Sequence, residues 1–254
     1  MSERSIGNLV LRGTIWGIIG LIYAPLLVAL REIFLEQGWG HWAYVPAAAI
    51  AGGVGAAFYG ARQVAIMGAL LGVAVGTVLL LFADGPISVW RVALPAAAVG
   101  LLAGSLVRFP DRCSLHVPGK TLSGLTTGAG CGLLLAAVEP LRPGGFPIAA
   151  SVAFLVSVNG ILYVASVRWW VDHVEHRLPC NAVEALVIAL LAGLVAASVW
   201  IVSGPLAGIV DEAHDLIIRR MHESIAAAML GAAMAGAVTG ALLEAFDVKW
   251  VHDL

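Results

Sequence analysis

Charge is what this chain has least of. Asp, Glu, Lys and Arg make up 12% of its 254 residues, about half the share of an ordinary soluble domain. A water-soluble fold of this length needs more polar surface than these residues supply. The net charge of −2 argues against nucleic acid as a partner, which would want a basic patch. Cysteine is scarce as well. Three is an odd count, and it points away from a disulfide framework. Two catalytic signatures are missing: the phosphate loop G-x-x-x-x-G-K-[S/T] and the nucleophile elbow G-x-S-x-G. The glycine-proline stretches GPISV and GPLAG read as turns after apolar runs.

What fills the chain is apolar. Hydrophobic residues account for 60%, and the mean hydropathy is +0.94. This composition predicts an all-α polytopic integral membrane helix bundle, organised as one membrane domain over 1–254 and embedded in a lipid bilayer. A spanning helix needs about 20 mostly apolar residues. Eight stretches qualify, near 13–33, 43–60, 64–83, 92–107, 121–138, 146–167, 183–204 and 224–246. The second and fourth are short, so the expectation is about eight spans, with seven as the alternative. Arg4 and Arg12 precede the first apolar run as they would in a signal peptide. That run is too long for one and no A-x-A site follows it, so it reads as an uncleaved span.

Basic residues assign the two sides. With a cytoplasmic N-terminus, nine of the 14 Lys and Arg residues fall inside and five outside (Arg31, Arg91, Arg142, Arg219 and Arg220). This favours an inner or cytoplasmic membrane with both termini cytoplasmic, although Arg219 and Arg220 run against the bias. Trp39, Trp42, Trp90, Trp169, Trp170 and Trp250 fall near the expected interfaces.

Internal similarity follows. YVPAAAIAGG, ALPAAAVGLL and GFPIAASVAF each open a span, with Pro46, Pro95 and Pro147 in the expected first turn, where the missing amide hydrogen costs nothing. Gly68, Gly72 and Gly76 in one partner span match Gly124, Gly128 and Gly132 in the next. Ala232, Gly236 and Gly240 repeat the step in the last. Residues four apart share a helix face and let a second backbone come close. The pattern reads as duplicated glycine-rich helical hairpins over about 44–85, 93–141 and 145–204, followed by an amphipathic segment and last span over 205–246. Such faces serve contacts within one chain, a homo-oligomer or other protein partners.

Inside the spans no ionisable residue is expected at mid-depth. Glu139, Glu184, Glu223 and Glu244 are placed at span ends within reach of water. The interior polar groups are mild: Thr77, Thr126, Thr127, Cys131, Ser157, Ser198 and Thr239, with Asn159 the strongest. Without buried carboxylates a proton-coupled carrier is disfavoured. Candidate pore or packing residues are Gly72, Gly76, Gly128, Gly132, Thr127, Asn159, Gly236 and Gly240.

The densest polar stretch is VRWWVDHVEHRLPCN at 167–181. Its histidines do not match a zincin motif. Together with VRFPDRCSLHVPGK one hairpin earlier, it offers Cys113, His116, His176 and Cys180, a set suited to a structural zinc ion. The plainer reading is two solvated loops anchored by arginine and tryptophan, with no cofactor at all. DEAHDLIIRRMHES at 211–224 reads as an amphipathic, solvated or partner-facing helix. Three functions follow as expectations. The first is a passive channel or facilitator for a small neutral or weakly polar solute. The second is a non-catalytic scaffold or anchor subunit of a larger complex, and the third a metal-binding membrane enzyme subunit. The chain is read as more a transporter than an enzyme.

Overall fold

The computed structural model describes residues 6–60, 62–83, 85, 87–107, 116–174, 177, 179–203, 212–246 and 248. Among them there is no strand. Eight α-helices form: α1 (Ile6–Glu36), α2 (Tyr44–Gly60), α3 (Arg62–Leu81), α4 (Val89–Leu106), α5 (Val117–Val138), α6 (Ile148–Val174), α7 (Cys180–Ser203) and α8 (Glu212–Ala245). Seven of them are long and apolar enough to cross a membrane. Only α2, at 17 residues, falls short. The protein is an all-α integral membrane bundle. Its outer faces carry large apolar side chains such as Leu70, Leu94, Leu102 and Leu230, each at least 62% exposed, the surface that lipid rather than water solvates.

Several boundaries differ from those expected. Pro95 is not in a first turn. It sits in the interior of α4, which starts at Val89 behind Ser88, so one turn of α4 lacks its hydrogen bond. Pro46 does lie in the first turn of α2. Pro147 directly precedes α6, and its carbonyl accepts from the amides of Ala150 and Ser151. The segment before the last span is not separate, since α8 runs unbroken from Glu212. Likewise α6 continues through Trp169, Trp170 and His173. Thr77, Thr126 and Ser198 are exposed rather than interior. Thr126 and Ser198 return their hydroxyls to carbonyls one turn back, which satisfies a hydroxyl at a lipid face.

The chain divides into two compact units. Unit 1 comprises 1–55, 122–168 and 220–254, and unit 2 comprises 56–121 and 169–219. The division does not follow the hairpins: α2 and α3, α4 and α5, and α6 and α7 are each shared between the units.

In unit 2, α7 packs against both α3 and α4. A Cβ on Gly72 would lie 2.6 Å from the Ala192 carbonyl oxygen, and one on Gly76 would lie 3.1 Å from Ala196 Cα. On α4, Gly100 and Gly104 meet Ala189 and Ala185 in the same way. The numbering shows α3 parallel to α7 and α4 antiparallel to it. Where α7 approaches the 82–88 connection, Trp200 is fully buried and its indole N–H donates to the Ile87 carbonyl at 2.6 Å.

In unit 1, α1 and α8 run antiparallel. Gly236 meets the Trp16 carbonyl, Gly240 that of Arg12, and Gly20 that of Ala232. The second glycine ladder, on α5, faces antiparallel α2: Gly132 meets Tyr44, Gly128 meets Ala48, and Gly124 meets Gly52. The two triple-glycine ladders therefore work in opposite senses, one on a parallel and one on an antiparallel neighbour. All six of Gly72, Gly76, Gly128, Gly132, Gly236 and Gly240 are buried at helix–helix contacts.

Candidate functional site

The inner face of α6 carries a run of uncharged polar residues inside unit 1. Ser151, Leu155, Asn159 and Tyr163 follow at four-residue steps, with Ser166 three further on. That spacing puts them on one helix face over about 22 Å of rise. Ser151 is 1% exposed, Asn159 8% and Leu155 fully buried. A stripe of hydroxyl and amide groups thus lines the bundle interior, interrupted by one leucine.

Partners come from every other helix of the unit. Near the middle, Asn159 lies beside Gly52 of α2 and Tyr23 of α1, and Cys131 of α5 is buried in the same unit. Tyr23, Asn159 and Cys131 are all buried. The Asn159 side chain lies within hydrogen-bonding reach of the Tyr23 hydroxyl, although neither that hydroxyl nor Asn159 Oδ1 completes a well-formed hydrogen bond. Alongside them, the Thr239 hydroxyl of α8 donates to Ser157 at 3.1 Å. Further along, Ser123 and Ser166 share a hydrogen bond of 2.9 Å. Thr127 takes no part, because its hydroxyl donates to the Ser123 carbonyl of its own helix at 2.6 Å.

The end of the stripe at Ser151 is charged. Arg31 pairs with Glu32 at 2.6 Å and lays its guanidinium 4.8 Å from the centre of the Tyr44 ring. Arg220, from the first third of α8, reaches Glu36 at 2.8 Å and Glu32 at 3.6 Å. The antiparallel register of α1 and α8 brings these residues together, and at the opposite end it places Arg12 on Glu244 at 2.5 Å. Arg220, which runs against the positive-inside bias, therefore has its charge compensated within the fold.

The expectation that no carboxylate is buried is overturned. Glu32 and Glu184 are each 1% exposed, and Lys120 is 7% exposed. Glu184 sits in the first turns of α7, but neighbouring helices rather than water surround it. Two full charges in low dielectric are costly unless matched, and for Glu32 the arginines supply the match.

The four residues considered for zinc are not assembled by the described structure. Cys113, His176 and the side chain of Cys180 lie outside the described residues. His116 immediately precedes α5 with φ of 51°, a left-handed conformation uncommon for residues other than glycine. Among the described residues no group of three His, Cys, Asp or Glu is placed to hold a metal ion.

Sequence reasoning found Asn159 but missed Tyr23, Ser151, Tyr44 and the Glu32 network. The adjacent Arg31–Glu32 pair closing the first span was the available signal, as was the four-residue step from Ser151 to Asn159. No protein-family model, curated protein or solved structure matches this chain.

Proposed function

We propose that the protein is a passive facilitator for a small, neutral or weakly polar solute, with the path along the inner face of α6 in unit 1. It sits in an inner or cytoplasmic membrane with both termini cytoplasmic. The observation that carries this reading is the Asn159–Tyr23 pair. Two buried polar groups beside each other, each with unspent hydrogen-bonding capacity, are expensive in a membrane interior. A bundle held together by glycine and alanine contacts has no need of them for cohesion. They serve a molecule that exchanges its water for their hydrogen bonds as it passes.

The mid-depth groups are uncharged, which favours neutral solutes over ions. Leu155, fully buried between Ser151 and Asn159, acts as the apolar gate that a solute must displace.

The test is reconstitution into liposomes, with swelling followed by light scattering for water, glycerol, acetamide and urea. At least one neutral solute is expected to enter faster than into protein-free vesicles. Replacing Leu155 by Ala is expected to raise that rate. Flux equal to that of empty vesicles for every solute, together with co-purification of a stoichiometric partner in mild detergent, would make the chain a scaffold subunit instead.

A further inference from the structure

The polar stripe of α6 does not reach water at its Ser151 end. Ser151 and Tyr44 are each 1% exposed, and Leu155, one turn further along, is fully buried. The side chain standing against this end is that of Tyr44, the first residue of α2. Ser151 lies within hydrogen-bonding reach of the Tyr44 hydroxyl, and so does Arg31. Arg31 also lays its guanidinium over the ring, 4.8 Å from the centre. The phenol is thus held by two other helices at once, α1 and α6.

Arg31 is held in its turn. Its Nη1 donates to Glu32 at 2.6 Å, and Glu32 shares Arg220 with Glu36, at 3.6 and 2.8 Å respectively. One chain of contacts therefore runs from α8 through α1 to Tyr44 and ends on Ser151. Its links are reversible ones. An arginine over a ring and a single hydrogen bond each contribute modestly, and Arg31 and Arg220 both keep some access to water. A permanent seal is made more simply by small apolar residues in close contact, as elsewhere in this unit. Tyr44 also opens its helix, directly after the Gly40–Ala43 turn, and helix ends move at lower cost than helix interiors.

We propose that Tyr44 is a movable stopper at the Ser151 end of the α6 path, with Arg31 as the residue that holds it shut. Glu32 and Arg220 are positioning residues, which keep the guanidinium over the ring. The stopper opens when Arg31 leaves the ring and the hydroxyl releases Ser151, which admits water to Ser151 and then to Leu155. Its control over solute entry rests on the facilitator reading. The closure itself rests on the burial of Ser151 and the contacts around Tyr44.

The experiment puts a reporter behind the stopper. In the full chain with Cys113, Cys131 and Cys180 replaced by Ala, Leu155→Cys is labelled in lipid nanodiscs with a membrane-impermeant methanethiosulfonate. Slow labelling is expected. Adding Arg31→Gln is expected to speed it by about tenfold, the shift that follows from losing one hydrogen bond to a charged group. Arg31→Lys keeps a cation beside Glu32 and the ring, and it is expected to restore protection in part. Tyr44→Phe keeps the ring and removes the hydroxyl. It is expected to speed labelling as well, so a failure of one variant to fold leaves the other to decide. A second reporter, Ser123→Cys, is buried at the other end of the stripe, and its labelling is expected to stay slow in every variant. Fast labelling of Leu155→Cys by itself, no acceleration in the folded variants, or equal acceleration at both reporters would overturn the proposal. The last result would make the Arg31–Tyr44 contact a structural tie. Neutral-solute flux into liposomes, measured on chains that keep Leu155, separates the two readings. Flux with labelling insensitive to Arg31 and Tyr44 removes the stopper alone. Faster labelling without flux in any variant removes the facilitator reading and leaves the stopper.

Discussion

The two units of this protein are built from the same apolar alphabet but differ in what they enclose. In unit 2, the α3–α7 and α4–α7 contacts are made by Gly68, Gly72, Gly76, Gly100 and Gly104 against Ile188, Ala189, Leu191, Ala192 and Ala196. Among the described residues, the buried polar side chains of that unit, Lys120, Thr121 and Glu184, belong to the first turns of α5 and α7. In unit 1 the same kind of glycine contact joins α1 to α8 and α2 to α5, yet polar groups recur along α6 from Ser151 to Ser166. The difference teaches that close packing and interior polarity are separable. In a bilayer, cohesion comes from the fit of small residues, so a polar interior is an addition that stability does not require.

That contrast can be broken first in unit 2. Gly72→Leu drives a side chain into the Ala192 carbonyl and Val195, 2.6 and 2.7 Å from where its Cβ would lie. A backbone cannot retreat as a flexible side chain can, so a loss of about 3 kcal/mol or more is expected, read as a collapsed thermal transition in detergent. An unchanged transition would mean that α3 and α7 do not pack at this distance.

The next largest effect belongs to the ionic end of unit 1. Glu32→Ala leaves Arg31 without its 2.6 Å partner and Arg220 with Glu36 alone. Removing one member of a buried pair costs up to several kcal/mol. Both arginines keep some access to water here, so about 2 kcal/mol is expected in the same unfolding assay. Glu32→Gln should cost less, because it retains a hydrogen-bond acceptor for Arg31.

The smallest expected effect separates two glycines of one helix. A Cβ on Gly130 would meet nothing within 4 Å, whereas one on Gly128 would strike the Ala48 carbonyl. Gly130→Ala should stabilise α5 by about 0.5–1 kcal/mol through helix propensity, while Gly128→Ala should destabilise it. Equal shifts in melting temperature would show that the α2–α5 contact does not discriminate between the two faces of α5.

How much of this was legible in the sequence depends on the distance over which a residue acts. Span positions were readable because about 20 apolar residues in a row is a local signal. The glycine steps were readable too, since a four-residue period is local. Their partners were not: the ladder at Gly68–Gly76 and that at Gly124–Gly132 look alike, yet one faces a parallel helix and the other an antiparallel one. Glu32, next to the end of the first expected span, drew no reading of its own. Only Arg220, which also bonds Glu36 from 184 residues away, and the burial around Tyr44 give it another meaning. Pro95 seemed to open a helix because the sequence resembles that around Pro46, whereas α4 had already begun at Val89. Asn159 stood out because no other amide shares its surroundings. Tyr23 did not, because an isolated tyrosine in an apolar run commonly reaches an interface.

The measurement that tests the central claim most directly is a paired one on Asn159→Leu, with thermal unfolding and acetamide or glycerol flux taken from the same preparation. If the polar stripe exists for passage, replacing an amide with unmet hydrogen-bonding capacity by a similar-sized apolar group leaves stability unchanged or raises it by about 1 kcal/mol. Flux then falls by about tenfold or more toward the empty-vesicle rate. A lower melting temperature with flux intact would contradict the account. Asn159 would then be a structural tie between helices, and the path would lie elsewhere.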